Sequence, residues 1–348
     1  ILKNISTSTA QMPVLQVVCA NPLGAGALLK WSPSSGDVGG YQLIMSDNMT
    51  TWTLAAGSDI LHDTATSYTL TQIEPGKSWY FRIRALSTTS QPTDWGDVYG
   101  FRRNISPPRV LIVDGYDRWD SQNRGVSHAW AAVHGQAVDA YGISYDTCAN
   151  EALTNNNIFP EDYDALIWLC GEESTANHTF DTTEQALVST YLDGGGKLFV
   201  TGAEIGWDLD YKQNGVDFYH NYLRADYIQD SSGGIYTVYG APDGIFYGLS
   251  FGFDGGAPEG GYSVLTPDVI APRGGSIACL RYTDTLSAGV QYGIALPGGQ
   301  KLGYLVYFGF PFETIHPASM RNEVMAHVLA FLNLTPPPPP AACGAMLY

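Results

Sequence analysis

Four nearly continuous apolar runs in the last two thirds of the chain each stop at a glycine: residues 109–115, 165–171, 197–202 and 302–309. A strand with one wet face alternates apolar and polar residues. A run without alternation needs cover on both faces, as strands of a parallel sheet have. Helical patterns lie between the runs. Residues 182–192 extend from Thr182, a cap-like threonine, to the stop signal Gly194-Gly195-Gly196, and residues 320–332 form a second amphipathic pattern. Strands alternating with helices predict an α/β doubly wound domain over residues 106–335. Residues 228–300 are richer in Gly, Tyr and Thr and read as a β-rich insertion within it.

The first 105 residues differ. Short segments lie at 28–31, 41–46, 66–70 and 79–86, the last with the clearest period of two. Turn signals such as Ser32-Pro33, Asp47-Asn48 and Pro75-Gly76 separate them. Strands at about ten-residue spacing with Gly/Pro turns predict an all-β sandwich. Trp31, the Tyr41-x-Leu43 strand start and the stretch from Leu70 to Leu86 together resemble the fibronectin type III family. That resemblance places Tyr80 as the corner tyrosine and implies a spacer or binding module. The chain is therefore read as multidomain, with units at 1–105 and 106–335 and a Pro-rich tail at 336–348.

Charge separates the same two units. Residues 1–105 hold 7 basic and 7 acidic side chains, and residues 106–348 hold 10 and 27, so the second unit carries the whole −17. Phosphate backbones need clustered Lys and Arg, so nucleic acid is excluded as a partner, and anionic membrane surfaces are disfavoured. No apolar run reaches the roughly 18 residues that span a bilayer. Neutral glycans, cell-surface polymers and divalent cations fit an acidic surface.

In open α/β sheets ligands sit beyond the carboxyl ends of strands. Those ends carry Asp114 and Asp117, Glu172 and Glu173, Glu204 with Trp207 and Asp208, and Glu313. The candidate ligand-binding set is Asp114, Asp117, Glu172, Glu173, Glu204, Trp207 and Glu313. Paired carboxylates hydrolyse glycosides when suitably spaced, so Glu204, Glu172 and Asp208 are the catalytic candidates of an alternative reading, an extracellular polysaccharide hydrolase. Trp119, Trp207 and Tyr211 suit sugar stacking. Asp208, Asp210 and Asp217 around Gly215 offer oxygen ligands for Ca²⁺, at a spacing that departs from the EF-hand.

The strand order and the segment Gly202-Ala203-Glu204-Ile205-Gly206 resemble class I glutamine amidotransferase-like domains, whose nucleophile turn reads Gly-x-Cys-x-Gly. The resemblance implies a closing segment at residues 309–313, where the family holds its catalytic His and acidic partner. Here Glu204 replaces the thiol and no His stands at the matching place; His316 lies three residues beyond Glu313. Without a thiolate and its base, amide transfer has no nucleophile. Cys170, at another strand end, reads as a buried hydrophobe. The pairing of modules also resembles multidomain exported bacterial surface proteins.

Five cysteines permit at most two bridges, and no CxxC pair occurs. Sequons stand at Asn4, Asn48, Asn104, Asn177 and Asn333. With the Ile1 start, these features read as a mature or excised piece of a secreted glycoprotein. Pro336–Pro340 reads first as a linker to a further domain; as a rigid arm, together with Ile1-Leu2, it suggests self-assembly. The expectation is an extracellular or cell-surface structural and binding protein whose silent α/β unit binds glycan or Ca²⁺.

Overall fold

Alternate residues of the apolar runs serve two different cores. The protein's structure, a computed structural model, describes residues 9–20, 26–71, 73–103, 108–118, 127–255, 261–293 and 303–337. In the first unit, β1 (Leu15–Ala20), β2 (Ala27–Trp31) and β5 (Ser67–Leu70) make one antiparallel sheet. The other sheet has the order β4 (Thr53–Ala56), β3 (Gly40–Ser46), β6 (Ser78–Leu86), β7 (Tyr99–Arg102). Trp31 is buried edge-on to Tyr41, with ring centroids 5.6 Å apart, at the centre of this sandwich.

The corner role falls to a different residue from the one expected. Trp79 Nε1 donates to the Glu74 carbonyl oxygen at 3.3 Å, the backward bond that a corner tyrosine makes. Tyr80, one residue on, points to the opposite face because side chains alternate along a strand. It is buried beside Ser78 and Tyr145, against the second unit.

The second unit is built on five parallel strands in the spatial order β9 (Ser144–Ala149), β8 (Arg109–Asp114), β10 (Ala165–Gly171), β11 (Lys197–Gly202), β18 (Tyr304–Phe308). The antiparallel β17 (Ser287–Tyr292) extends it beyond β18. Ile112, Ile167, Phe199 and Val306 face one core with α1 (Trp130–Tyr141) and α5 (Ala318–Phe331). Leu111, Leu166, Leu198 and Leu305 face the other, with α2 (Asn150–Thr154) and α3 (Thr182–Asp193). This two-sided burial explains why the runs do not alternate. The N-cap of α3 is Asp181, not the expected Thr182: its carboxylate accepts from Thr183 N and Glu184 N while Glu184 reaches back to Asp181 N, a full capping box.

After β11 come α4 (Val216–Phe218), β12 (Ala225–Gln229), β13 (Thr237–Gly240), β14 (Ser250–Phe253), β15 (Val269–Pro272) and β16 (Ile277–Arg281). With β17 and the short β19 (Ile315–His316) they form an antiparallel region. Strand β9 joins the units. Its outer edge pairs with β1 at Val17–Cys148 and Val18–Thr147, and with β7 at Arg102–Tyr145. The sandwich thus covers an edge of the parallel sheet that would otherwise be open to pairing with another chain. Among the described residues, no helix is long and apolar enough to cross a membrane.

Candidate functional site

Strands β8, β10, β11 and β18 are neighbours, so their carboxyl ends share one rim. The strand order reverses between β8 and β10, the usual place for a ligand. Here the chain fills that place itself. A side chain at Gly171 would strike the Tyr116 ring 2.4 Å away. Tyr116 in turn stacks on His128 at 5.4 Å, and Tyr262 and Trp130 complete an aromatic plug. One strand over, at the exit of β11, Glu204 is only half-buried.

That exit is a tight strand-to-helix turn. Gly202 is required because a Cβ there would meet Cys170 Cβ at 2.8 Å, and Gly206 because one would meet Tyr219 Oη at 2.6 Å. Buried Asp268 holds the turn: its Oδ2 accepts from Gly206 N at 2.7 Å and Trp207 N at 3.3 Å. The chain continues as a wide helical turn, Trp207–Tyr211, closed by Lys212 N donating to Trp207 O.

Glu204 projects half-buried from this turn. Ser174 Oγ donates to its Oε2 at 3.1 Å, and Thr266 Oγ1 donates to its Oε1. Burial, then the nearby Asp230 carboxylate, pushes its carboxyl up to about 7. Beside it Trp207 and Tyr211 stack at 4.5 Å, with Tyr227 tilted 5.7 Å from Tyr211 and the Lys212 ammonium 4.4 Å over the indole. Tyr211 is 57% exposed, and Leu265, next to Thr266, is 56% exposed. The result is a half-buried acid bordered by exposed aromatic and apolar surface.

The remaining expected residues divide by burial. Asp208 is fully buried, and Thr179 N, Thr179 Oγ1 and Asn214 Nδ2 occupy its oxygens. Glu172 is buried and accepts from Leu265 N at 2.6 Å. Both serve as loop anchors, so the expected Glu204–Glu172 and Glu204–Asp208 acid pairs present only one open member. Glu173 is buried, and desolvation pushes it up to about 7. Glu313 is buried against Tyr262 Oη at 2.7 Å, with His134 Nε2 3.9 Å away. Asp117 is exposed at the rim, and Asp114 turns away from it toward His128 and Asp97.

The expected Ca²⁺ set is not one cluster. Asp208 is committed to Thr179 and Asn214, and Asp217 is exposed. Asp210 groups instead with His220 at 3.1 Å, which lies 3.6 Å from Asp226. Asn48, Asn177 and Asn333 are exposed, whereas Asn4, Asn104, Trp119, Cys343 and Ile1-Leu2 lie outside the described residues, as do 338–340 of the proline run. Cys19, Cys148, Cys170 and Cys279 are buried free thiols, and burial raises each of them.

Sequence reasoning missed Ser174, Thr266, Asp268 and Tyr227. Three of them come from residues 225–272, whose strands carry no motif and whose place beside β11 depends on long-range pairing. Asp268-Val269 before a short strand was the only local signal.

The fibronectin type III domain model matches residues 13–96. No curated protein matches the chain. Similar solved structures include an Fn3-like protein from Clostridium thermocellum, 22% identical over 26% of this chain and 90% of that one, TM-score 0.22. Another is the sixth fibronectin type III domain of human fibronectin type III domain containing protein 3, 21% identical over 29% of this chain and 92% of that one, TM-score 0.24. A β-1,2-glucanase from Parabacteroides distasonis is 23% identical over 27% of this chain, TM-score 0.24, and the chain spans 13% of that enzyme. Residues 13–96 form a fibronectin type III domain, a module suited to a binding or structural role.

Proposed function

We propose that this chain is an extracellular binding protein in which the fibronectin type III domain braces a doubly wound, amidotransferase-like α/β unit, and that the surface at the exit of β11 holds a neutral glycan. The β9-β8-β10-β11-β18 order supports the doubly wound reading, since it is the flavodoxin-like 2-1-3-4-5 order. The observation that carries the glycan reading is the stack of half-buried Trp207 on exposed Tyr211, beside Glu204 and its two hydroxyl donors. Aromatic faces take the apolar faces of sugar rings, and a half-buried carboxyl with hydroxyls around it can exchange hydrogen bonds with sugar hydroxyls. The surplus of 17 acidic charges disfavours anionic polymers.

A catalytic reading rests on one observation: Glu204 is pushed up to about 7, the range of a general acid. Against it stands the commitment of Asp208 and Glu172 to backbone and side-chain donors, which leaves Glu204 without either expected carboxylate as an open partner. Incubating the protein with a panel of neutral polysaccharides, and assaying both retention and release of reducing ends, separates the two. Binding without release, reduced in Trp207→Ala, is expected. Release that disappears in Glu204→Gln would establish the hydrolase instead.

A further inference from the structure

We infer that Asp97, Asp114 and His128 form a binding site for a divalent transition cation, Zn²⁺ by preference, at the seam between the two units. The three side chains come from separate parts of the fold. Asp97 belongs to the segment leading into β7 of the sandwich. Asp114 ends β8, and His128 precedes α1. One donor atom from each lies within 4.8 Å of the others.

The histidine geometry points to a cation. His128 Nε2 lies 3.0 Å from the Tyr116 carbonyl oxygen. A carbonyl only accepts, so Nε2 carries the proton, and in the neutral ring Nδ1 is a bare lone pair. That lone pair faces Asp114 Oδ2 at 3.7 Å and Asp97 Oδ1 at 3.8 Å. These separations are too long for hydrogen bonds. They are close to the ~3.3 Å between two donors that share a tetrahedral ion at about 2.05 Å.

Both inner atoms are orphans. Asp114 and His128 have side chains 3% and 8% exposed, and among the described residues neither Asp114 Oδ2 nor His128 Nδ1 has a hydrogen-bond partner. The imidazole is locked in this pose by Tyr116 on one side, at 5.4 Å, and Trp130, at 6.1 Å. A backbone carbonyl on the far nitrogen is the usual support of a metal-ligating histidine. Arg82, the guanidinium that senses Asp97, gives its N–H groups to Gly96 O at 3.0 Å and Ser127 Oγ at 2.8 Å. Two carboxylates neutralise one divalent ion, and a nitrogen with two oxygens suits Zn²⁺ better than Ca²⁺, which takes six to eight oxygens.

The Asp210–His220–Asp226 group has a similar composition and lacks these features. His220 and Asp210 are within hydrogen-bonding distance at 3.1 Å, and Asp226 is paired with Arg273 at 2.5 Å. It therefore serves as the internal control.

The test uses the tag-free full chain, stripped with a chelator and titrated with Zn²⁺ alone by calorimetry, with Co²⁺ as a spectroscopic substitute. One ion per chain, a higher melting temperature with Zn²⁺ and visible Co²⁺ bands are expected. Asp97→Asn and His128→Gln are each expected to weaken binding by about 100-fold, the upper end for disturbed metal shells, while His220→Gln leaves it unchanged. Circular dichroism checks that each variant folds. If His128→Gln fails to fold, Asp97→Asn, whose carboxylate is 25% exposed, decides the outcome. Absence of stoichiometric binding, or binding lost in His220→Gln and kept in Asp97→Asn, overturns the inference and leaves His128 as a partner in a charge pair only.

Discussion

At Glu173, Glu184 and Glu204, burial outweighs the hydrogen bonds each carboxyl group accepts, and each is pushed up to about 7. In the unfolded chain such groups ionise near 4.3. Between those values the folded state holds more protons, so stability falls as pH rises through the folded range. His134 acts in the opposite direction lower down: burial depresses it to about 4, and its contribution grows as pH rises from there to about 6.5. The window free of that opposition runs from about pH 6.5 to 8. Melting temperature should drop across it, and Glu173→Gln, at a fully buried position, should make the drop smaller. A flat or rising profile in the wild type would contradict the burial account.

Among the elements, α3 and the exit of β11 depend on single carboxylates. Asp181→Ala removes the side-chain half of the capping box, the bonds from Thr183 N and Glu184 N, and should cost about 0.5–2 kcal/mol by urea denaturation. Asp268→Ala leaves Gly206 N and Trp207 N without their buried acceptor, which should cost about 1–3 kcal/mol and weaken glycan retention as the turn loosens. The elements themselves were legible where one local rule governs them. Continuous apolar runs announced β8, β10, β11 and β18, and a period of two announced β6. The N-cap of α3 was displaced by one residue because Asp181 outcompetes Thr182 for the same amides. The corner was assigned to Tyr80 instead of Trp79 because the pattern shows the alternation and not which of two adjacent aromatics faces the turn. The site was half legible. Glu204 and Trp207 follow a Gly-x-Glu-x-Gly turn that can be seen in sequence. Thr266 and Asp268 arrive by pairing across some 60 residues, and nothing local encodes that. Nor does a strand-end position reveal that Asp208, Glu172 and Glu313 are buried.

On the scale of the whole molecule, β9 binds the two units into one hydrogen-bonded network through β1 and β7. Thr147 reinforces the seam by bonding both Gly100 N, at 3.0 Å, and Gly100 O, at 2.8 Å. A single calorimetric unfolding transition is expected for the full chain, and two well-separated transitions would show that the seam contributes little. Removing residues 1–105 should expose the edge of β9 and drive the remainder to aggregate, as size-exclusion chromatography would reveal. The functional account turns on the surface at the exit of β11 in the same sheet. Calorimetric titration of the wild type and Trp207→Ala with the best-retained neutral oligosaccharide tests it most directly. The account predicts saturable binding to one site, about tenfold weaker in Trp207→Ala, a loss of ~1.4 kcal/mol. Equal affinity in the two proteins, or no binding across the whole panel, would contradict it.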